Sequence, residues 1–137
     1  MIRQELRDFV EDVTGQGFIS PDHVQSLRTC VLGSGVASRR EIEALLLLHR
    51  TIEAHESWCE TLSALVVDFV VWRSGAKGVV TNEDAMWLTT TLEVSGHSPV
   101  AMIIAYGILD QASHVDAALL DFIMRGRQQA RAQSLAA

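Results

Sequence analysis

Two stretches decide the fold: Gly17 to Ala54, GFISPDHVQSLRTCVLGSGVASRREIEALLLLHRTIEA, and Gly78 to Val115, GVVTNEDAMWLTTTLEVSGHSPVAMIIAYGILDQASHV. Laid over one another without a gap at an offset of 61, they agree at eight positions: Gly17/Gly78, Leu27/Leu88, Thr29/Thr90, Ser34/Ser95, Gly35/Gly96, Ile42/Ile103, Ala44/Ala105 and Leu48/Leu109. Others match in character, Ile19 with Val80, Ser20 with Thr81, Asp22 with Glu83 and Val31 with Leu92. The agreement falls on glycines, helix caps and apolar positions, where a structural repeat keeps it, and predicts an internal duplication of a helix-loop-helix unit.

Each stretch carries the punctuation of helix, tight loop, helix. Ser20-Pro21 is an N-cap with proline at the first helical position, and Thr81 with Asp84 three residues on is close to a capping box. Gly-Ser-Gly at 33–35 and Val-Ser-Gly at 94–96 supply a glycine for the left-handed residue that closes a helix. Ser38 with Glu41, and Ser98 followed by Pro99, open the second helix of each stretch.

Helices are also expected outside the repeat. Ile2, Leu6, Phe9, Val10 and Val13 recur at spacings of three and four, an amphipathic stripe. Residues 57–73, with Leu62, Leu65, Val66, Phe69, Val70 and Trp72, read as a strongly apolar helix, since the β-branched pairs Val66-Val67 and Val70-Val71 have no second strand to join. Ser74 to Gly78 is a linker. The expected architecture is all-α, about seven helices in a single domain over 1–132. It comprises an N-terminal helix (1–14), repeat one (17–54), the apolar helix (57–73), repeat two (78–115), a C-terminal helix (116–132) and a frayed tail (133–137).

With 137 residues, 48% of them hydrophobic and 20% charged, the chain can bury a core and is not of disordered composition. No apolar run approaches the roughly 20 residues of a membrane span, and the mixed-charge N-terminus lacks a signal core, so a cytoplasmic location is expected. A net charge of −6 argues against nucleic acid as the partner, and Arg125, Arg127 and Arg131 suit the end of a helix. Cys30 and Cys59 lie in apolar patterns without framework spacing and are expected as small buried side chains.

The segments Gly35-Val-Ala-Ser-Arg-Arg-Glu41 and Gly96-His-Ser-Pro99 resemble the glycine, small residue, serine, acidic residue pattern of TerB-like bacterial domains. The resemblance implies an all-helical bundle of the tellurite-resistance type, with a metal-binding or stress-response role. That family usually has Asp before the glycine, where this chain has Ser34 and Ser95, so an acidic site tied to those aspartates does not carry over. Gly35 and Glu41 also match the sixth and twelfth positions of an EF-hand loop, but Cys30 and Leu32 would occupy positions one and three without offering oxygen.

One constellation carries chemistry. His49 and Glu53 are four apart in the second helix of repeat one, and Asp110 and His114 take the aligned places in repeat two, where four-residue spacing puts side chains on one helix face. Inward stripes of Ile42, Leu45, Leu46, His49 and of Ile103, Tyr106, Gly107, Asp110 would point both pairs at the core. Related by a pseudo-twofold axis, His49, Glu53, Asp110 and His114 would form a site for a divalent transition metal. Alternatively His49 and Asp110 bond each other across a helix contact while Glu53 and His114 face water. His23, His55 and His97 lack comparable partners and are expected at the surface.

Asp68, among Val67, Phe69 and Val70, needs an arginine partner or marks a pocket. Trp87 beside Met86 is the aromatic best placed for a binding surface. No nucleophile elbow, phosphate-binding glycine loop or zinc-protease signature occurs. The expectation is a non-enzymatic interaction or assembly module without a resident cofactor, binding a protein partner or a second copy through the N-terminal helix. A TerB-like metal protein and a small helical enzyme using Asp68 or the His49/Asp110 pair are the alternatives.

Overall fold

The computed structural model describes residues 3–33, 35–36, 38–75, 77–94 and 98–136. The chain divides into two compact units, Met1–Phe69 and Val70–Ala137.

In the first unit α1 spans Gln4–Gln16 and buries Leu6, Phe9 and Val13. It ends at Gly17, where φ is +74° and the amide donates to the Val13 carbonyl. That left-handed residue costs glycine little and turns the chain into β1, Phe18–Ile19. Ser20 then caps α2 (Pro21–Ser26), and its partner in the capping box is His23 in place of the usual glutamate. A π-helical turn, Leu27–Val31, extends α2. Ser38 caps α3 (Arg39–Thr51), which leads through Ile52 to β2 (Glu53–Ala54) and α4 (Ser57–Asp68). The two short strands pair in parallel, Phe18 with Glu53 and Ile19 with Ala54. Leu6, Phe9, Val13, Ile19, Leu27, Ile42, Leu45, Trp58 and Leu62 fill the core.

The second unit is also built of helices with two short strands. A π-helical turn (Phe69–Arg73) begins at the boundary, followed by Gly78 with φ of +78° and β3 (Val79–Val80). Thr81 caps α5 (Asn82–Glu93) and Ser98 caps α6 (Pro99–Gln111), which is followed by β4 (His114–Val115) and α7 (Ala117–Ala136). Val79 pairs with His114 and Val80 with Val115, so Gly17 and Gly78, the strands and the first caps, Ser20 and Thr81, keep the 61-residue offset. Its core includes Val80, Leu88, Ile104, Ile108, Leu119 and Phe122.

The all-α class holds, because among the described residues the strands are four of two residues each and every longer element is helical. The β-branched pairs are helical as expected, Val66-Val67 within α4 and Val70-Val71 within the π-helical turn. The second helices, however, slip out of the ungapped alignment: Arg39–Thr51 against Pro99–Gln111 is an offset of 60, and a further residue, Ser113, restores 61 at β4. The slip rotates the buried face of α6 onto Val100, Ala101, Ile104, Ala105 and Ile108. Ile103 and Tyr106, expected inside, are 52% and 43% exposed.

Leu6, Phe9 and Val13 of the α1 stripe are buried in the core of its own unit, while Val10 is half-buried. One further expectation changes. Cys30 is exposed and Cys59 intermediate. The closure of the first helix of repeat two at Ser95 and Gly96, and residues Ile2 and His97, lie outside the described residues.

An ion pair fixes the loop before α3. Glu41 is 1% exposed, and its carboxylate takes Arg3 Nε at 2.7 Å and Arg3 Nη2 at 3.0 Å. The same guanidinium donates to the carbonyls of Val31 at 3.2 Å and Gly35 at 3.0 Å. Arg3 thus joins the start of α1 to the end of the π-helical turn and to the first turn of α3, and satisfies carbonyls a helix end leaves without partners.

Candidate functional site

Two depressions in the first unit meet at the C-terminal end of α3, with Thr51 lining both. One is a cleft of about 490 Å³ between the last turn of α3, β2 and the first turn of α4, lined by Phe18, His49 to Glu56, Trp58 and Cys59. The other is a groove of about 290 Å³ between α1 and α3, lined by Arg7, Val10, Thr14, Ala44, Leu47, Leu48 and Thr51. Cleft volumes of this order are usual for small-ligand sites, and a narrow apolar groove between helices is a usual seat for a third helix.

Polar side chains define the cleft. The His49 ring is half-buried, and burial first and the positive charge of Arg50 second lower its pKa from the ordinary 6.5. It therefore stands as a neutral imidazole near pH 7. His55 accepts the Ser57 amide at its Nδ1, 3.2 Å away, which leaves the proton of the neutral ring on Nε2. Arg50, Glu53 and Glu56 are exposed. Behind them Trp58 is fully buried, and its indole Nε1 has no hydrogen-bond partner among the described residues.

The corresponding corner of the second unit is closed. Trp72 donates its indole N–H to Gln111 Oε1 at 3.0 Å, and the extra residue Ser113 gives both its amide (2.7 Å) and its hydroxyl (2.9 Å) to the Gly78 carbonyl. A Cβ placed on Gly78 would meet Ser113 Oγ at 3.2 Å and Trp72 Cζ3 at 3.7 Å. One on Gly17, the same place in the first unit, would meet nothing within 4 Å. Asp116 takes the role of His55 there, accepting the amide of Ala118 at 3.0 Å and Asn82 Nδ2 at 3.1 Å. The Ala118 bond first, and the Asn82 bond second, lower its pKa.

The four residues expected as a metal site fall two to each unit. His49 lies in the last turn of α3, but α3 ends at Thr51 and Glu53 stands in β2. Asp110 is in the last turn of α6, and His114 stands in β4 beyond Ala112 and Ser113. Neither pair therefore shares a helix face, and Glu53, Asp110 and His114 are all exposed. Among the described residues, no group of three or more His, Cys, Asp or Glu side chains is placed to hold a metal ion.

Two histidines expected without partners have them. His23 accepts the Ser20 amide at Nδ1, 3.0 Å away, and its Nε2–H donates to Asp12 Oδ2 at 3.0 Å. His55, two residues before the first residue of α4, accepts the Ser57 amide. The signal was present, since each sits within three residues of the serine it bonds, but a helix-cap search confined to carboxylates and amides passes over imidazole. Phe18 and Arg50, both in the cleft lining, had no sequence signal at all. Trp87 is half-buried beside exposed Met86.

No family model, characterised protein or solved structure matches this chain.

Proposed function

We propose that the protein is a non-enzymatic interaction module that seats an amphipathic helix of a partner protein in the groove between α1 and α3. The observation that carries this reading is Leu47, which is 52% exposed at the lip of a groove whose other walls include Val10, Ala44 and Leu48. Leu45, Leu46 and Leu48 of the same helix are buried, so the helix spends one leucine on the outside. Covering the exposed half of this leucine gains roughly 1 kcal/mol when a partner seats on it. Arg7 at the groove edge favours an acidic residue on the entering helix, as a rim charge does for orientation and association rate.

The shared glycines, strand registers and caps of the two units support an internal duplication, with the groove and cleft as features of the first copy. Photo-crosslinking tests the reading. A benzophenone amino acid replacing Leu47 in cells that make the protein should give one discrete adduct, strongly reduced when Val10 is changed to Lys. An adduct of two chain masses would identify a second copy as the occupant. Absence of a discrete adduct, or one indifferent to Val10→Lys, would remove the groove as the binding surface.

A further inference from the structure

We propose that the cleft at the end of α3 binds a small planar aromatic carboxylate, with its ring against Phe18 and its carboxylate on Arg50. This site is separate from the α1–α3 groove and does not depend on a helix entering it.

Four observations converge. The molecule itself shows what fills such a corner, because in the second unit an indole ring, Trp72, lies over the glycine and is anchored by a polar group from the last residue of the helix, Gln111. In the first unit a Cβ on Gly17 would meet nothing within 4 Å, and the next residue, Phe18, lines the cleft of about 490 Å³. The first unit also lacks the inserted residue, since only Ile52 separates α3 from β2 while Ala112 and Ser113 separate α6 from β4. A ligand ring would restore there what side chains supply in the other unit.

Phe18 provides the apolar face. Its ring is 42% exposed on a two-residue strand, and an aromatic ring stacked on it would be stabilised by apolar burial and by ring geometry together. Arg50 provides the anchor, exposed and with neither ion pair nor hydrogen bond to another side chain among the described residues. Guanidinium binds a carboxylate through two parallel N–H bonds, which suits a planar acid. The charge of the ligand is also constrained. Glu53 and Glu56 flank the cleft and would repel a second negative charge, which disfavours phosphates and dicarboxylates and leaves a monoanion.

The test is a titration of the full-length, isotope-labelled protein with indole-3-carboxylate, followed by amide chemical shifts. Indole supplies the ring without the charge, and acetate the charge without the ring. Saturable shifts confined to Phe18 and residues 49–59 are expected, with indole and acetate each at least about ten-fold weaker. Arg50→Gln should weaken binding about ten-fold or more, and Phe18→Ala should weaken it as well. Both side chains are exposed, so neither change removes core; should either variant lose its dispersed spectrum, the three-ligand comparison on the unaltered protein decides. The proposal is overturned if no saturable shift appears by about 10 mM ligand, well above the range of specific sites. It is equally overturned if the shifts map elsewhere, if indole binds as well as its carboxylate, or if Arg50→Gln binds unchanged.

Discussion

Removing Arg3 should cost more stability than its position at the start of the first helix suggests. Arg3→Ala deletes two charge-assisted bonds to Glu41, at 2.7 and 3.0 Å, and two bonds to the carbonyls of Val31 and Gly35, at 3.2 and 3.0 Å. The larger part of the cost comes from Glu41, which is 1% exposed and loses its guanidinium. Breaking a buried pair from one side costs about 3–5 kcal/mol. Arg3 is 24% exposed, so water reaches the vacated place and the lower end, about 3 kcal/mol, is the expected figure. For a chain of this size that is a fall in Tm of roughly 10 °C. Circular-dichroism melts and urea titrations of Arg3→Ala, Arg3→Met, Glu41→Leu and the Arg3→Met/Glu41→Leu double variant would measure it. Each single variant should be destabilised, and Arg3→Met with Glu41→Leu together should recover most of the loss, because two apolar groups can replace a buried ion pair at little cost. A loss below about 1 kcal/mol for Arg3→Ala, the range of a surface pair, would refute the reasoning, as would a double variant no better than the sum of the singles.

Three further outcomes are expected. Gly78→Ala should cost roughly 2 kcal/mol and Gly17→Ala roughly 1 by urea unfolding, since both leave a side chain at positive φ but only the former also presses on Ser113; equal losses would count against a filled corner. His49 binds its proton less tightly folded than unfolded, so its contribution is complete above its ordinary pKa of 6.5 and is lost as pH falls through that value toward the lowered one. The urea midpoint should therefore fall between about pH 7.5 and 5, and less steeply in His49→Gln. Trp58→Phe loses ring volume but also removes an indole N–H without a hydrogen-bond partner among the described residues, so its cost should stay under about 2 kcal/mol, against roughly 3–5 for Trp58→Ala; equal costs would show the N–H to be satisfied.

What could be read from residues alone was the punctuation. Ser20-Pro21, Thr81, Ser38 and Ser98 are all caps, and Gly35, in the stretch read as closing a helix, takes a φ of +92°, whereas the positive φ of Gly17 and Gly78 had been read only as matched positions. The reading weakened where it required rotation about a helix axis. One residue of slip in α6 is about 100° of rotation, enough to carry Ile103 and Tyr106 outside and to separate Asp110 from the place aligned with His49. The assumption that His49 and Glu53 shared a helix face also failed for a local reason: the chain leaves α3 at Thr51 to pair β2 with β1, and a two-residue parallel strand has no pattern long enough to see. The cleft left no mark in the sequence, since its lining comes from β1, the end of α3, β2 and the start of α4, which no local pattern brings together.

Gly78 has a side chain packed against it and Gly17 does not, and one proton-proton measurement reaches this difference directly. In a nuclear Overhauser spectrum of the protein, the Gly78 α-proton that stands in the place of a Cβ should show a strong cross-peak to the six-membered ring of Trp72, and the matching α-proton of Gly17 should show no strong one to a side chain beyond its chain neighbours. A missing Gly78–Trp72 cross-peak, or a side-chain contact at Gly17 of comparable strength, would contradict it.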